Sequence, residues 1–265
     1  LVLFSLITVG YSANALGGAG GPLAVLIIAI AAAELGKAVS KETKVDILVT
    51  PLVTIFAGVG LSMLIAAPIG AAASQVGTLI MWATEQAPLV MGILVSVIVG
   101  VALTLPISSA AICAALGLTG LAGGAAVAGC CAQMVGFAVM SYKENGVGGL
   151  VSQGLGTSML QMGNIIKNPR IWIAPTLASA ITGPLATCLF HFEMNGAAVS
   201  SGMGQIGVYT GWVSDIAAGT KAAITPMDWA AMVLLCFVLP AVLSVVFCEV
   251  ERKLGWIKEG DLKLN

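Results

Sequence analysis

Long apolar stretches, interrupted at intervals by short polar ones, run the length of this chain. Runs of about the 17–25 residues that a bilayer-spanning helix needs lie at 22–39, 45–68, 88–105, 171–193 and 227–247, and residues 1–10 read as the end of another. The 36 residues of 107–142 are too long for one span, and the Gly-rich GLTGLAGG at 117–124 divides them into two shorter helices. The pattern therefore predicts eight helices, the first incomplete. The sequence opens at Leu1 inside an apolar run, without a Met or a basic leader, which predicts residues upstream of it rather than a signal peptide.

Two segments, 70–86 and 197–217, depart from simple spanning. They hold Gly, Ser, Gln and one acid each and are too polar for lipid. Irregular backbone at membrane depth is tolerated only where it is buried in protein or lines a wet cavity, so each is expected to form a re-entrant hairpin. The two also share a pattern, SQVGTLIMW at 74–82 and GQIGVYTGW at 204–212, in which Gln75 and Gln205, Gly77 and Gly207, and Trp82 and Trp212 are each 130 positions apart. Glu85 and Asp215 share that offset. KETKVDILVTP at 41–51 resembles KNPRIWIAP at 167–175, and the helix ending at Pro106 matches one containing Pro240. The fold class expected is an all-α polytopic membrane protein of two four-helix repeats, each with a re-entrant hairpin. An even number of spans per repeat makes the halves parallel, related by an axis along the membrane normal. The first repeat covers 1–106 and the second 107–247, and 248–265 form a tail.

Composition agrees with the pattern. Only 9% of residues are charged and 58% hydrophobic, with a mean hydropathy of +1.04, against roughly 25% and 45–50% in soluble domains. A net charge of −1 offers no basic patch to collect phosphates, which excludes nucleic acid as a partner and leaves membrane lipid as the surrounding medium. Cys113, Cys130, Cys131, Cys188, Cys236 and Cys248 lie in or beside apolar runs, as small buried hydrophobes do. There is no Cys/His metal spacing, P-loop, nucleotide fingerprint or Ser/His/Asp constellation. No metal or other cofactor is expected, and neither is catalysis by the chain alone. Placing Lys37, Lys41 and Lys44 in the cytoplasm puts ten of the eleven basic residues there, Lys221 alone outside, and makes the tail cytoplasmic.

The candidate solute contacts are neutral amides and a few ionisable groups. Gln75 and Gln205 offer donors and acceptors without charge, suited either to a polar solute or to bonding the backbone of their own segments. CLFHFEMNG at 188–196 holds the single histidine, His191, with Glu193 and Asn195 beyond it. These three either touch solute or relay protons, or are the solvated end of a helix. Glu85 and Asp215 belong to the site or to the outer interface, and Glu34 pairs with Lys37 along a helix. Thr176, Ser179 and Thr182, beside Pro175, either satisfy loosened backbone or contact solute. Gly92, Ser96 and Gly100 form a small-residue stripe for close helix packing. Gly70, Gly77, Gly202 and Gly204 are candidate hinges. The Gly-rich 147–166, without a counterpart in the first half, is expected to be an interfacial or re-entrant segment that could gate.

GTSMLQMGNIIKNPRIWIAPTLASAITGPLATCLFHFEMNG at 156–196, with GMGQIG at 202–207, resembles a bacterial membrane family classed with the IIC subunits of phosphotransferase-system permeases and also described as toxin regulators. The resemblance implies a dimeric sugar-type permease in the bacterial cytoplasmic membrane. It implies separate IIA and IIB phosphocarrier proteins as partners, with IIB phosphorylating the solute as it is delivered. It marks Asn168, Pro169, Pro175, Thr176, Gly183, Pro184 and Gln205, and with Gly77 and Gly207 the non-solute members of this set are expected to be structural or hinge positions. The Gly-Ile-Thr-Glu signature of glucose-type IIC subunits is absent. Together these features predict a transporter of a small polar solute, a carbohydrate in the leading reading. A secondary transporter or facilitator and a ligand-sensing membrane regulator are the rival readings.

Overall fold

The computed structural model describes residues 21–40, 46–105, 109–194, 204–219, 221 and 223–264. The chain divides into two units, residues 1–77 with 114–116 and residues 78–113 with 117–265. The described residues are helical between turns, and their one β-type contact is the isolated bridge of Gly120 with Met194.

In the first unit, helix α1 (Gly21–Val39) and the greater part of α2 (Asp46–Gln86) carry a small apolar core, in which Ala24, Ile28 and Ala66 are buried beneath Leu61, Ile65 and Ile69. Gly36 lies directly against the Thr54 side chain, whose hydroxyl is turned back onto the Thr50 carbonyl at 2.8 Å. Glu34 and Lys37 form the expected i,i+3 pair at 3.6 Å. Gly77 has only the Leu116 carbonyl in front of it, so no side chain fits at that position.

Helix α2 corrects one expectation. Its 41 residues, about 61 Å at 1.5 Å per residue, take in the predicted span 45–68 from Asp46 onward and the predicted hairpin 70–86, which continues the helix instead of folding back. The sequence AAASQVGTLIMWATEQ consists largely of good helix formers. It holds one isolated Gly and no Pro, so nothing in it supplies the turn chemistry a hairpin needs. Pro68 is accommodated inside the helix. The members of the 130-residue pairs differ in surroundings, Gln75 and Trp82 being exposed on α2 while Gln205 and Trp212 are buried.

The second unit holds α3 (Pro88–Thr104), the start of α4 (Ser109–Leu116), α5 (Gly120–Met140), α6 (Tyr142–Val151), α7 (Met162–Lys167), α8 (Ile173–Pro184), α9 (Gln205–Ala217), α10 (Pro226–Val233) and α11 (Leu239–Lys253). The break between α4 and α5 falls at Gly117–Thr119, inside the Gly-rich stretch, with Gly117 and Gly120 at positive φ. Helix α3 matches its predicted span to within a residue. Pro169–Leu189, around α8, and Pro226–Lys253, through α10 and α11, are each continuous helical runs. With Leu48–Gln86 and Gly120–Met140 they are long and apolar enough to cross a bilayer.

Helix α5 organises this unit. It is apolar and small-sided all round and is buried along nearly its whole length, the pattern of a helix enclosed by others. The Gly92–Ser96–Gly100 stripe of α3 packs as its spacing predicts. The Ser96 backbone lies against Gly129, Gly100 lies against the Gly129 carbonyl, and Gly183 of α8 sits against Ser96 and Gly92. The Ser96 hydroxyl crosses to α8 and donates to the Ser179 carbonyl at 2.8 Å. Residues 195–203, and with them Asn195 and Gly202, lie outside the described residues, as do the first turns of the predicted second hairpin. From Gln205 that segment is the regular helix α9.

Candidate functional site

Because α3, α5 and α8 approach through glycines, side chains from all three meet between them. Gln133 is the one amide on α5, fully buried, and it is bonded at both ends. Its Nε2 donates to the Thr176 Oγ1 of α8 at 3.2 Å. Its Oε1 accepts from the indole Nε1 of Trp172 at 3.2 Å and from the Thr104 Oγ1 of α3 at 3.4 Å. Thr104 Oγ1 also lies 2.8 Å from the Ser158 Oγ of the 3₁₀ turn Ser158–Gln161. Gln133, Thr104 and Ser158 are closed off from the surface, whereas Trp172 and Thr176 are partly exposed. The result is a neutral cluster of one amide, three hydroxyls and an indole, with no charged side chain among its members.

Most residues expected to bind solute stand elsewhere. Thr176 alone joins the cluster, and its hydroxyl also donates to the Trp172 carbonyl at 2.7 Å. Ser179 and Thr182 likewise bond carbonyls one turn back, at 2.7 and 3.3 Å. Gln75 and Glu85 are exposed on α2. His191 and Glu193 are exposed beyond the end of the Pro169–Leu189 run, flanking buried Phe192, with His191 at φ 43°. Phe192 packs edge-on against Trp212, which meets Trp229 at 5.5 Å between ring centres. Asp215 is half-buried on α9. Among the described residues, no three of His, Cys, Asp and Glu gather as a metal site would require.

Gln205 has a backbone role. Pro240 has no N–H, so the Cys236 carbonyl four residues earlier loses its usual helical donor. Beside Pro240 the helix widens into a π-helical turn, Leu234–Val238, and Gln205 Nε2 donates to the Cys236 carbonyl at 3.2 Å. Gln205→Ala strands that carbonyl and is expected to lower stability by about 1–3 kcal/mol. Solute affinity of the folded variant should stay at the parent level, a contrast that thermal unfolding and ligand titration of the same preparation would reveal. Gly207 is buried on the same helix. Pro184 precedes a second π-helical turn, Leu185–Leu189, where Thr187 Oγ1 reaches the Pro88 carbonyl at 2.7 Å. Pro175 packs against Gly136.

A second polar assembly lies where α6 and α7 meet the tail. Glu144 accepts from Arg252 at 3.3 Å and from the Leu262 N–H at 3.0 Å. Asn168 caps the 3₁₀ turn Pro169–Trp172 by accepting from Arg170 N, and its Nδ2 donates to the Trp256 carbonyl and to Asp261 Oδ2 at 2.9 and 2.8 Å. Arg170 stacks over Trp256 at 5.7 Å, Lys143 pairs with Glu249 at 3.4 Å, and Lys167 and Lys263 border a cleft of about 160 Å³. The tail is thus folded onto the chain, with Ile257 and Leu262 buried.

Gln133, Thr104, Ser158 and Trp172 escaped the reading of the sequence alone. Gln133 carried a signal nonetheless, as the single amide or charged residue in 107–141. Of the residues around it only Thr176 was among the candidates, because the others are brought in from separate segments by packing.

These features define a multi-pass helical membrane protein with an uncharged polar cluster among its most buried helices. The family model described as "Phosphotransferase system, EIIC" matches residues 3–264, so the chain belongs to that family, the membrane transporter components of sugar phosphotransferase systems. Searches of curated proteins and of solved structures find no match.

Proposed function

We propose that this chain carries a carbohydrate across the bacterial cytoplasmic membrane and that Gln133, Thr176, Trp172, Thr104 and Ser158 read its hydroxyl groups. The carrying observation is the placement of Gln133, an amide with both ends engaged at the centre of an otherwise apolar and buried helix. Each bond in the cluster joins neutral partners, so a sugar hydroxyl, both donor and acceptor, can replace any one of them without leaving a charge unpaired. On this reading the cluster as it stands is a solute-free arrangement, in which the protein's own hydroxyls and indole take the places of the solute's.

The C-terminal end of the second unit is assigned to the cytoplasm. Lys143, Lys167, Arg170, Arg252 and Lys263 gather there through the contacts given above, whereas Lys221 sits with Trp212 and Asp228, in keeping with positive-inside orientation. Soluble IIA and IIB proteins would meet that face and phosphorylate the sugar on arrival, and a homodimer is the expected assembly on the family resemblance. In cells producing the chain, the transported sugar should accumulate as its phosphate ester, and accumulation should stop when phosphoenolpyruvate is depleted. Accumulation of unmodified sugar, indifferent to phosphoenolpyruvate, would overturn the coupled mechanism.

A further inference from the structure

We propose that residues 254–264 are a clasp that holds the polar cluster closed on the tail side, which rests on that cluster being the solute site. The tail is seated by two apolar anchors and gripped by its backbone. Ile257 and Leu262 are buried with Phe137, Ile165, Ile171 and Cys248. The Leu262 N–H donates to Glu144, and its carbonyl accepts from Asn145 Nδ2 at 2.8 Å and from Gln161 Nε2 at 3.0 Å. Asn164 Nδ2 donates to the Lys263 carbonyl at 3.0 Å, and the Leu264 N–H donates to Asn145 Oδ1 at 2.8 Å. Carboxamides drawn from one segment, 145–168, therefore bond main-chain groups of the tail, as a strand-binding groove does.

Through the same groups the clasp reaches the cluster. Gln161 closes the 3₁₀ turn that Ser158 opens, and Ser158 meets Thr104, which bonds Gln133. Gln161 also donates to Gln153 at 2.9 Å, which donates to Ser141 at 2.8 Å. The segment so held is a π-helical turn at Ser152–Gly156, an extended Thr157 and the short 3₁₀ turn. Such a segment has little helical ladder of its own and depends on these side-chain bonds for its position. Releasing the tail would leave Gln161, Asn164 and Asn145 short of partners, so the turn would re-form elsewhere and carry Ser158 away from Thr104.

The test uses the full chain in membrane vesicles and a small thiol reagent, with two reporters. Native Cys248, buried against the tail anchors, reads tail release, and Ser158→Cys reads opening of the cluster. Asn145→Ala combined with Asn164→Ala should raise labelling of both by about tenfold or more, given the net worth of the hydrogen bonds removed. Labelling of Cys248 alone, or of neither site, would overturn the clasp. Hydrogen exchange on the unmodified protein checks it without any substitution. The amides of Leu262 and Leu264 should open together with those of 152–161, and tail amides exchanging about tenfold faster than that segment would show independent fraying. Both readouts report geometry, so they distinguish failure of the clasp from failure of the sugar-binding reading.

Discussion

Gly129→Leu is expected to remove the folded protein altogether. A Cβ at position 129 would stand 2.6 Å from the carbonyl carbon and 2.7 Å from the Cα of Ser96. The obstacle is backbone inside another helix and cannot turn aside as a side-chain tip can. The leucine would force α3 and α5 apart, and overpacking of a close-packed core costs about 1–3 kcal/mol even where neighbours can relax. Here separation would also break the Ser96 bond to Ser179 and the Thr104 bond to Gln133. Gly183→Leu should behave alike, because it meets Ser96 and Gly92 on the same seam. Gly163→Ala, where nothing lies within 4 Å, should leave stability unchanged or slightly improved, since alanine restricts the unfolded chain. Monodisperse yield in detergent and apparent unfolding temperature report all three.

The second large effect is expected at Gln133. Gln133→Leu removes an amide that bonds three partners, and sugar uptake should fall by about 10- to 100-fold, the worth of two or so net hydrogen bonds. The variant should also lose stability, because the Trp172 Nε1 is left without its acceptor. A second substitution separates these losses. Trp172→Phe removes the stranded donor while keeping an aromatic ring, and deleting both partners of a bond is far cheaper than deleting one. The double variant should therefore recover much of the parent's unfolding temperature and none of its uptake, a non-additivity expected of residues in direct contact. Recovery of uptake along with stability would mean that the amide only holds helices together.

Much of the helix layout could be read directly from the sequence because it rests on local rules. Apolar runs of bilayer length gave the positions of α1, α3 and the runs through α8 and α11, and the positive-φ glycines at 117 and 120 divided the long 107–142 stretch. The Gly92–Ser96–Gly100 stripe was readable for the same reason, since an i,i+4,i+8 pattern fixes a helix face. The segment 70–86 is helical despite its polarity, because polar side chains alone do not break a helix. Its Ala, Leu, Met and Gln residues have high intrinsic helix propensity, which favours continuing the helix. The site was the least readable part, as Gln133, Trp172, Thr104 and Ser158 are brought together only by tertiary packing. Gln205 was expected to meet solute or the backbone of its own segment, and its amide instead reaches a carbonyl of another helix, Cys236, beside Pro240.

The most direct measurement of the central claim is a ligand screen by thermal unfolding. The detergent-purified chain would be compared with the Gln133→Leu, Trp172→Phe double variant against sugars, sugar alcohols and their phosphates. A carbohydrate present at 100 times its Kd should stabilise the parent by about 2.7 kcal/mol and leave the double variant unshifted. A carbohydrate that stabilises both proteins equally would contradict the account, since its site would then lie away from Gln133.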